Sequence, residues 1–167
     1  CFSADPSVYD GRFANNAWLQ ECPDPITKLT WDNAAILSPD LARKLSVETG
    51  DVMKISLGQA ALEIPAFVLP GVADNSITLP LGYGRTAGGV ICRDVGFNTY
   101  LLRTTDSLGF ATGVAVARTG RKYPLATTQE HWAIDLDKHF ANIADEEAKE
   151  RALIRDGSFE QFTKEPD

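Results

Sequence analysis

Between Met53 and Leu81 apolar and polar side chains alternate with the period of a pleated strand. Met53, Ile55 and Leu57 alternate with Lys54 and Ser56, and Leu62, Ile64, Ala66 and Val68 alternate with Glu63, Pro65, Phe67 and Leu69. A period of two puts each apolar set on one face of its strand. Gly58-Gln59 predicts a tight turn between them, while Pro65, which has no N–H for the ladder, predicts an edge or bulged strand. Ile77, Leu79 and Leu81 predict a third strand beyond the Pro70-Gly71 and Asp74-Asn75 loop. Strand pattern returns from Phe97 to Arg103, interrupted by Asn98, and again from Val114 to Arg118, closed by Thr119-Gly120; Tyr123 to Thr127 supplies a short last strand.

Helical signals are fewer. Ser38 as N-cap, Pro39 at the first helical position and Asp40 beside the positive dipole end mark a start. Leu41 and Leu45 then share a face, and Gly50-Asp51 ends the run. Residues 139–155 are rich in Ala, Glu and Arg, with Phe140, Ile143, Ala144 and Ala148 at helical spacing, which predicts a final helix. Residues 1–30 carry Asp, Asn and Pro with Phe13, Trp18 and Leu19 at no sustained period, and predict an extended arm packed on an apolar surface. The chain thus divides into an arm (1–30), a mainly β domain (31–134) of barrel or sandwich type with one early helix, and a helical tail and linker to a downstream domain (135–167).

At 167 residues this is one domain with tails. Sixteen basic against twenty-three acidic residues, with no basic run, argue against a nucleic-acid partner. No apolar stretch of about 18 residues exists, so no direct membrane span is expected. The chain opens at Cys1 with neither an initiator Met nor a signal segment, which reads as a trimmed or processed boundary. Cys1, Cys22 and Cys92 are too widely spaced for a zinc or iron–sulfur motif, so no metal site is expected in this stretch.

No catalytic residue is expected either. His131 and His139 are the only imidazoles, and two histidines eight apart beside Glu130 do not define a metal site. Cys92 lies in a glycine-rich loop without an obvious partner to act as its base, and no G-x-S-x-G is present. The stretch from Gly82 to Gly96 holds five glycines with Arg85 and Arg93 and suits a long, tightly turning loop. Such a loop can bring backbone amides close to a phosphate, yet it lacks the G-x-x-x-x-G-K-[ST] of a P-loop. Tight turns alone also account for the glycines.

Residues 36–57, ILSPDLARKLSVETGDVMKISL, resemble the opening of the molybdopterin-dinucleotide-binding domain, the C-terminal domain of the dimethyl-sulfoxide-reductase superfamily. The resemblance implies a six-stranded double-psi β-barrel. Four stretches, NNAWLQECPDPITKLTWDNAAILSP (15–39), LPLGYGRTAGGV (79–90), VGFNTYLLRT (95–104) and ATTQEHW (126–132), are similar to the large iron–sulfur subunit of bacterial alternative complex III, a quinol-oxidising respiratory membrane complex. That likeness implies a peripheral subunit on the periplasmic side of the inner membrane. Its partners would be further domains of the same polypeptide and other subunits, with iron–sulfur clusters in a following domain and none here. It also implies a barrel that scaffolds without a cofactor. In cofactor-bearing relatives the domain holds part of molybdopterin guanine dinucleotide, and position carries that contact to Gly82, Tyr83, Gly84, Arg85, Asn98 and Arg103. The alternative implied is therefore the cofactor-binding end of an active molybdenum or tungsten oxidoreductase.

Overall fold

The computed structural model describes residues 1–128 and Thr163. The chain divides into two compact units, Cys1–Gln129 and Glu130–Asp167. The first unit holds the described sheet and helices; the expected helix at 139–155 and both histidines lie outside the described residues.

Six strands form one mixed sheet in the order β1-β5-β2-β4-β3-β6. They are β1 (Phe2–Ser3), β2 (Ala35–Leu37), β3 (Asp51–Leu57), β4 (Ala60–Val68), β5 (Ile77–Pro80) and β6 (Ala115–Lys122), with helices α1 (Ala17–Glu21) and α2 (Pro39–Leu45) and a 3-10 turn at Thr99–Leu102. The β1–β5 and β2–β4 pairs are parallel and the other three antiparallel. No pairing among the described residues joins β6 back to β1.

Local chemistry explains the elements that sequence predicted. At the head of α2 the Ser38 hydroxyl accepts the Leu41 N–H at 3.1 Å and donates to Asp74 at 3.0 Å, so the cap also ties the helix to the loop before β5. Ser46, in the left-handed conformation at φ 53°, turns the chain out of the helix. The β3–β4 hairpin pairs Leu57 with Ala60 across Gly58-Gln59. Gly58 has φ 60° while Gln59 stays negative, the II′ arrangement that fits strand twist and demands glycine at the first central position. Inward positions meet as the alternation requires: Leu37, Met53, Ile55 and Ile64 are at most 2 % exposed. Burying each such side chain contributes about 1.5–3 kcal/mol.

Four expectations are corrected. Pro65 is not on an edge strand, since β4 lies between β2 and β3. The Ala66 carbonyl accepts from Gly50 on the β3 side, so by alternation the Pro65 nitrogen faces β2, whose pairing begins only at Ala66; a missing donor costs nothing there. Phe97–Arg103 is not a strand: the Asn98 side chain accepts the Tyr100 N–H at 3.1 Å and caps a 3-10 turn instead. The strand expected to stop at Thr119-Gly120 continues to Lys122, because the register shifts between Asp51 and Met53 and Thr119 Oγ1 donates to the Val52 carbonyl at 2.7 Å. Ion pairs of Arg118 with buried Asp51 (3.1 Å), Lys122 with Glu48 (3.3 Å) and Arg121 with Glu63 fasten this strand to its neighbours. Tyr123–Thr127 forms no strand, only a bridge from Thr127 to Leu29.

Within residues 1–30 the chain is turned by its own side chains. Asp5-Pro6-Ser7-Val8 and Asp24-Pro25-Ile26-Thr27 make the same turn twice. Asp5 Oδ1 accepts the N–H groups of Ser7 and Val8 at 2.8 and 2.9 Å, and Asp24 Oδ1 those of Ile26 and Thr27 at 2.9 and 2.6 Å. Between these turns Asn16 caps α1, and Val8 and Ala14 pack with Tyr83 and Cys92 in a second small core.

Candidate functional site: the glycine crossover

The loop from Leu81 to Gly96 is held at its base by Asn33, which is 1 % exposed. Its Nδ2 donates to the carbonyls of Pro80 and Phe97, both at 3.0 Å, and its Oδ1 accepts the Phe97 N–H at 2.8 Å. Thr99 Oγ1 adds a bond to the Pro80 carbonyl at 2.9 Å. The two ends of the crossover are thereby closed onto each other, beside the end of β5.

Above that base the glycines meet the chain itself. A Cβ on Gly84 would lie 2.2 Å from the Asn98 nitrogen and 2.6 Å from its Cα, and the Gly84 N–H already donates to the Val95 carbonyl at 2.7 Å. A Cβ on Gly82 would lie 2.7 Å from the Gly11 nitrogen and 2.9 Å from Val8. Asn15 reaches the other side of the loop, where its Oδ1 accepts the Ile91 N–H at 3.3 Å and its side chain fills the space beside Gly89. Tyr100 completes the contact, its hydroxyl donating to the Asp10 carbonyl at 2.9 Å. Residues 8–15 thus lie along the crossover.

Of the six residues singled out from sequence, five come together here. Gly82 and Gly84 are the contact glycines, Asn98 packs against Gly84, and Arg85 is exposed with its guanidinium beside Gly11. Tyr83 is buried between Val8, Ala14 and Cys92. Arg103 is elsewhere: it ends the 3-10 turn, stacks on the Tyr100 ring at 5.6 Å and donates to the Leu108 carbonyl at 2.7 Å. Among the described residues neither Arg85 nor Arg93 forms an ion pair, and no group of acidic, His or Cys side chains is placed to hold a metal ion.

Sequence reasoning missed the acidic side of Tyr83. A small enclosed cavity of about 20 Å³ is lined by Tyr83, Asn33 and the carboxylates of Asp5, Asp24 and Asp32. Burial pushes the Tyr83 hydroxyl pKa up, and the three carboxylates add to the shift. Asp5 is also raised by burial, against the lowering effect of the Val8 and Ser7 N–H groups, and the neighbouring Asp24 charge raises it further. Burial likewise raises Asp32, partly offset by the Tyr123 hydroxyl that donates to it at 3.0 Å. The repeated Asp-Pro-x-x signature was the one local signal for this cluster; its convergence on Tyr83 is long-range.

What the crossover and sheet define is a mainly β domain with a glycine loop wedged against its own N-terminal segment. No family model matches the chain. Over 60 residues, 36 % of its length, the chain is 40 % identical to a tetrathionate reductase subunit of Archaeoglobus fulgidus. The chain spans only 5 % of that protein.

Proposed function

We propose that this chain is a scaffolding domain of a molybdopterin-oxidoreductase-like protein, folded as a six-stranded double-psi β-barrel and carrying no pterin. In this reading it belongs to an iron–sulfur subunit of the alternative complex III type, on the periplasmic side of a quinol-oxidising membrane complex, with the clusters in a following domain. The stretch similar to the tetrathionate reductase supports the superfamily. Six strands with two parallel pairings, and a Pro-initiated helix running through Gly50-Asp51 into β3, support the barrel. Among the described residues no helix is long and apolar enough to cross a membrane, which agrees with a peripheral place.

One observation carries the absence of a cofactor. A diphosphate resting on the crossover needs the open faces of Gly82 and Gly84 and outward N–H groups. Those faces are turned to Gly11, Val8 and Asn98, and the Gly84 and Ile91 N–H groups are spent on Val95 and Asn15. The residues present do not fit the dinucleotide without displacing residues 8–15. Exposed Arg85 and Arg93 favour the second reading, a cofactor-binding domain of an active oxidoreductase, in which that segment moves aside.

Elemental analysis and pterin extraction on the intact native protein decide between them. Iron without molybdenum, tungsten or pterin is expected. About one molybdenum or tungsten per chain with an extractable pterin overturns the scaffold reading.

A further inference from the structure

We propose that the apolar cavity between β1 and β6 binds one aliphatic monocarboxylate, a fatty acid with its chain inside the cavity and its carboxylate at Lys44. The open seam of the sheet supplies the space. β1 and β6 are the two edge strands and do not pair with each other. Between them lies a cavity of about 550 Å³, with Phe2 of β1 on one side and Val116 of β6 on the other. Small-molecule sites typically measure about 300–1,000 Å³ and are largely apolar. Leu41 and Leu45 of α2, Leu57 of β3 and Ile77 of β5 supply more aliphatic wall, and all four pack against the main core. Water in such a space finds few hydrogen-bond partners, whereas an alkyl chain needs none.

Charge complementarity selects the head group. Of the lining residues only Asn75, Ser76 and Thr112 carry a side-chain oxygen or nitrogen. Ser76 Oγ is turned back onto its own loop, donating to the Ala73 carbonyl at 2.7 Å. Asn75 Oδ1 accepts from Lys44 Nζ at 3.3 Å, which holds an ammonium at the rim. Among the described residues Lys44 forms no ion pair. Asp74, the acidic neighbour of Asn75, accepts from Ser38 at 3.0 Å and does not line the cavity. The remaining ammonium N–H groups and the Asn75 amide are donors, and a carboxylate is purely an acceptor, so the head group that meets them is anionic. An alcohol would forgo the charge, and a cationic head would be set against Lys44. This inference does not depend on whether the protein carries a pterin.

The test is a titration of the full chain, at pH 7.5 and constant ionic strength, with decanoate, decanol and decyltrimethylammonium below their micelle concentrations, followed by methyl NMR shifts. Saturable shifts of the Leu41, Leu45, Leu57, Ile77 and Val116 methyls are expected, with decanoate binding tightest. The net charge of −7 by itself favours the cationic probe, so that order reports Lys44. Lys44→Met is expected to weaken decanoate about tenfold and to leave decanol unchanged. Val114→Trp and Leu45→Trp each put a ring into the cavity and are expected to abolish binding of all three probes; either suffices if the other does not fold. Absence of saturable shifts overturns the proposal, as does binding that survives the tryptophan variants. Decanoate binding no tighter than decyltrimethylammonium, or unchanged by Lys44→Met, also overturns it.

Discussion

Replacing Gly84 by alanine tests the closed crossover by its steric cost. Two effects add. Gly84 has φ +72°, a conformation that costs a residue with a Cβ about 1–2 kcal/mol. The new methyl would also sit 2.2–2.6 Å from the Asn98 nitrogen, the Asn98 Cα and the Phe97 carbonyl carbon, all backbone atoms that no rotamer change can move. Overpacking of this kind costs about 1–3 kcal/mol. Together they remove about 2–5 kcal/mol from a domain whose whole stability is about 5–15 kcal/mol. For a chain of this length that lowers Tm by about 10 °C. Two other glycines calibrate the measurement. A Cβ on Gly58 meets nothing, but φ is +60°, so Gly58→Ala should lose only the conformational part. Gly109 has neither a positive φ nor a close neighbour, and its alanine variant should stay within about 0.5 kcal/mol of wild type. Urea unfolding of the three variants should rank Gly109→Ala, Gly58→Ala, Gly84→Ala in order of increasing loss. A Gly84→Ala protein as stable as Gly58→Ala would refute the close approach of the crossover to Asn98.

Other consequences are measurable in the same assays. Asn33→Ala removes three hydrogen bonds and leaves the Phe97 N–H and carbonyl without partners, while Thr99 still serves the Pro80 carbonyl; it should cost about 2–4 kcal/mol, with faster hydrogen exchange at the Phe97 amide. The Asp51 pKa is lowered, first by the Glu48 N–H and then by Arg118, so the native state binds its proton less tightly than the unfolded chain. Stability from this group is full above the ordinary Asp pKa and is lost as pH falls through the lower native value, and Asp51→Asn should flatten that acid limb. Asp5 has the opposite sign: its raised pKa means stability is lost as pH rises through the native value. Asp5→Asn should accordingly be more stable than wild type at pH 7, with the advantage gone below about pH 4. Cys1 and Cys22 are exposed and Cys92 is buried, so a thiol reagent should label two cysteines in the native protein and the third only on unfolding.

Legibility in the sequence followed the range of the interaction. Ser38-Pro39-Asp40 and Gly58-Gln59 act on neighbours within three residues, and the helix and hairpin they predict are present. Asn98 acts locally too, but its capping role was hidden by the apolar run around it, where Phe97, Leu101 and Leu102 fit a strand as readily as a turn. Pro65 misled because a missing donor signals an edge only when a partner strand covers that nitrogen. The crossover was legible as a loop from its glycine content. Which surface its glycines touch was not, because Gly82 meets Gly11 and Gly89 meets Asn15 across more than seventy residues of chain. The same distance separates Asp5 from Tyr83, so the acidic cavity left only the repeated Asp-Pro turns as a trace.

Residues 8–15 lying on the crossover are what separates a scaffold from a cofactor-binding domain, and nuclear Overhauser contacts measure this directly. The structure predicts cross-peaks from the Asn15 side-chain amide to the Gly89 α protons and from the Gly11 amide to the Gly82 α protons. Their absence, with random-coil shifts across residues 8–15, would contradict it and leave the glycine face open to a ligand.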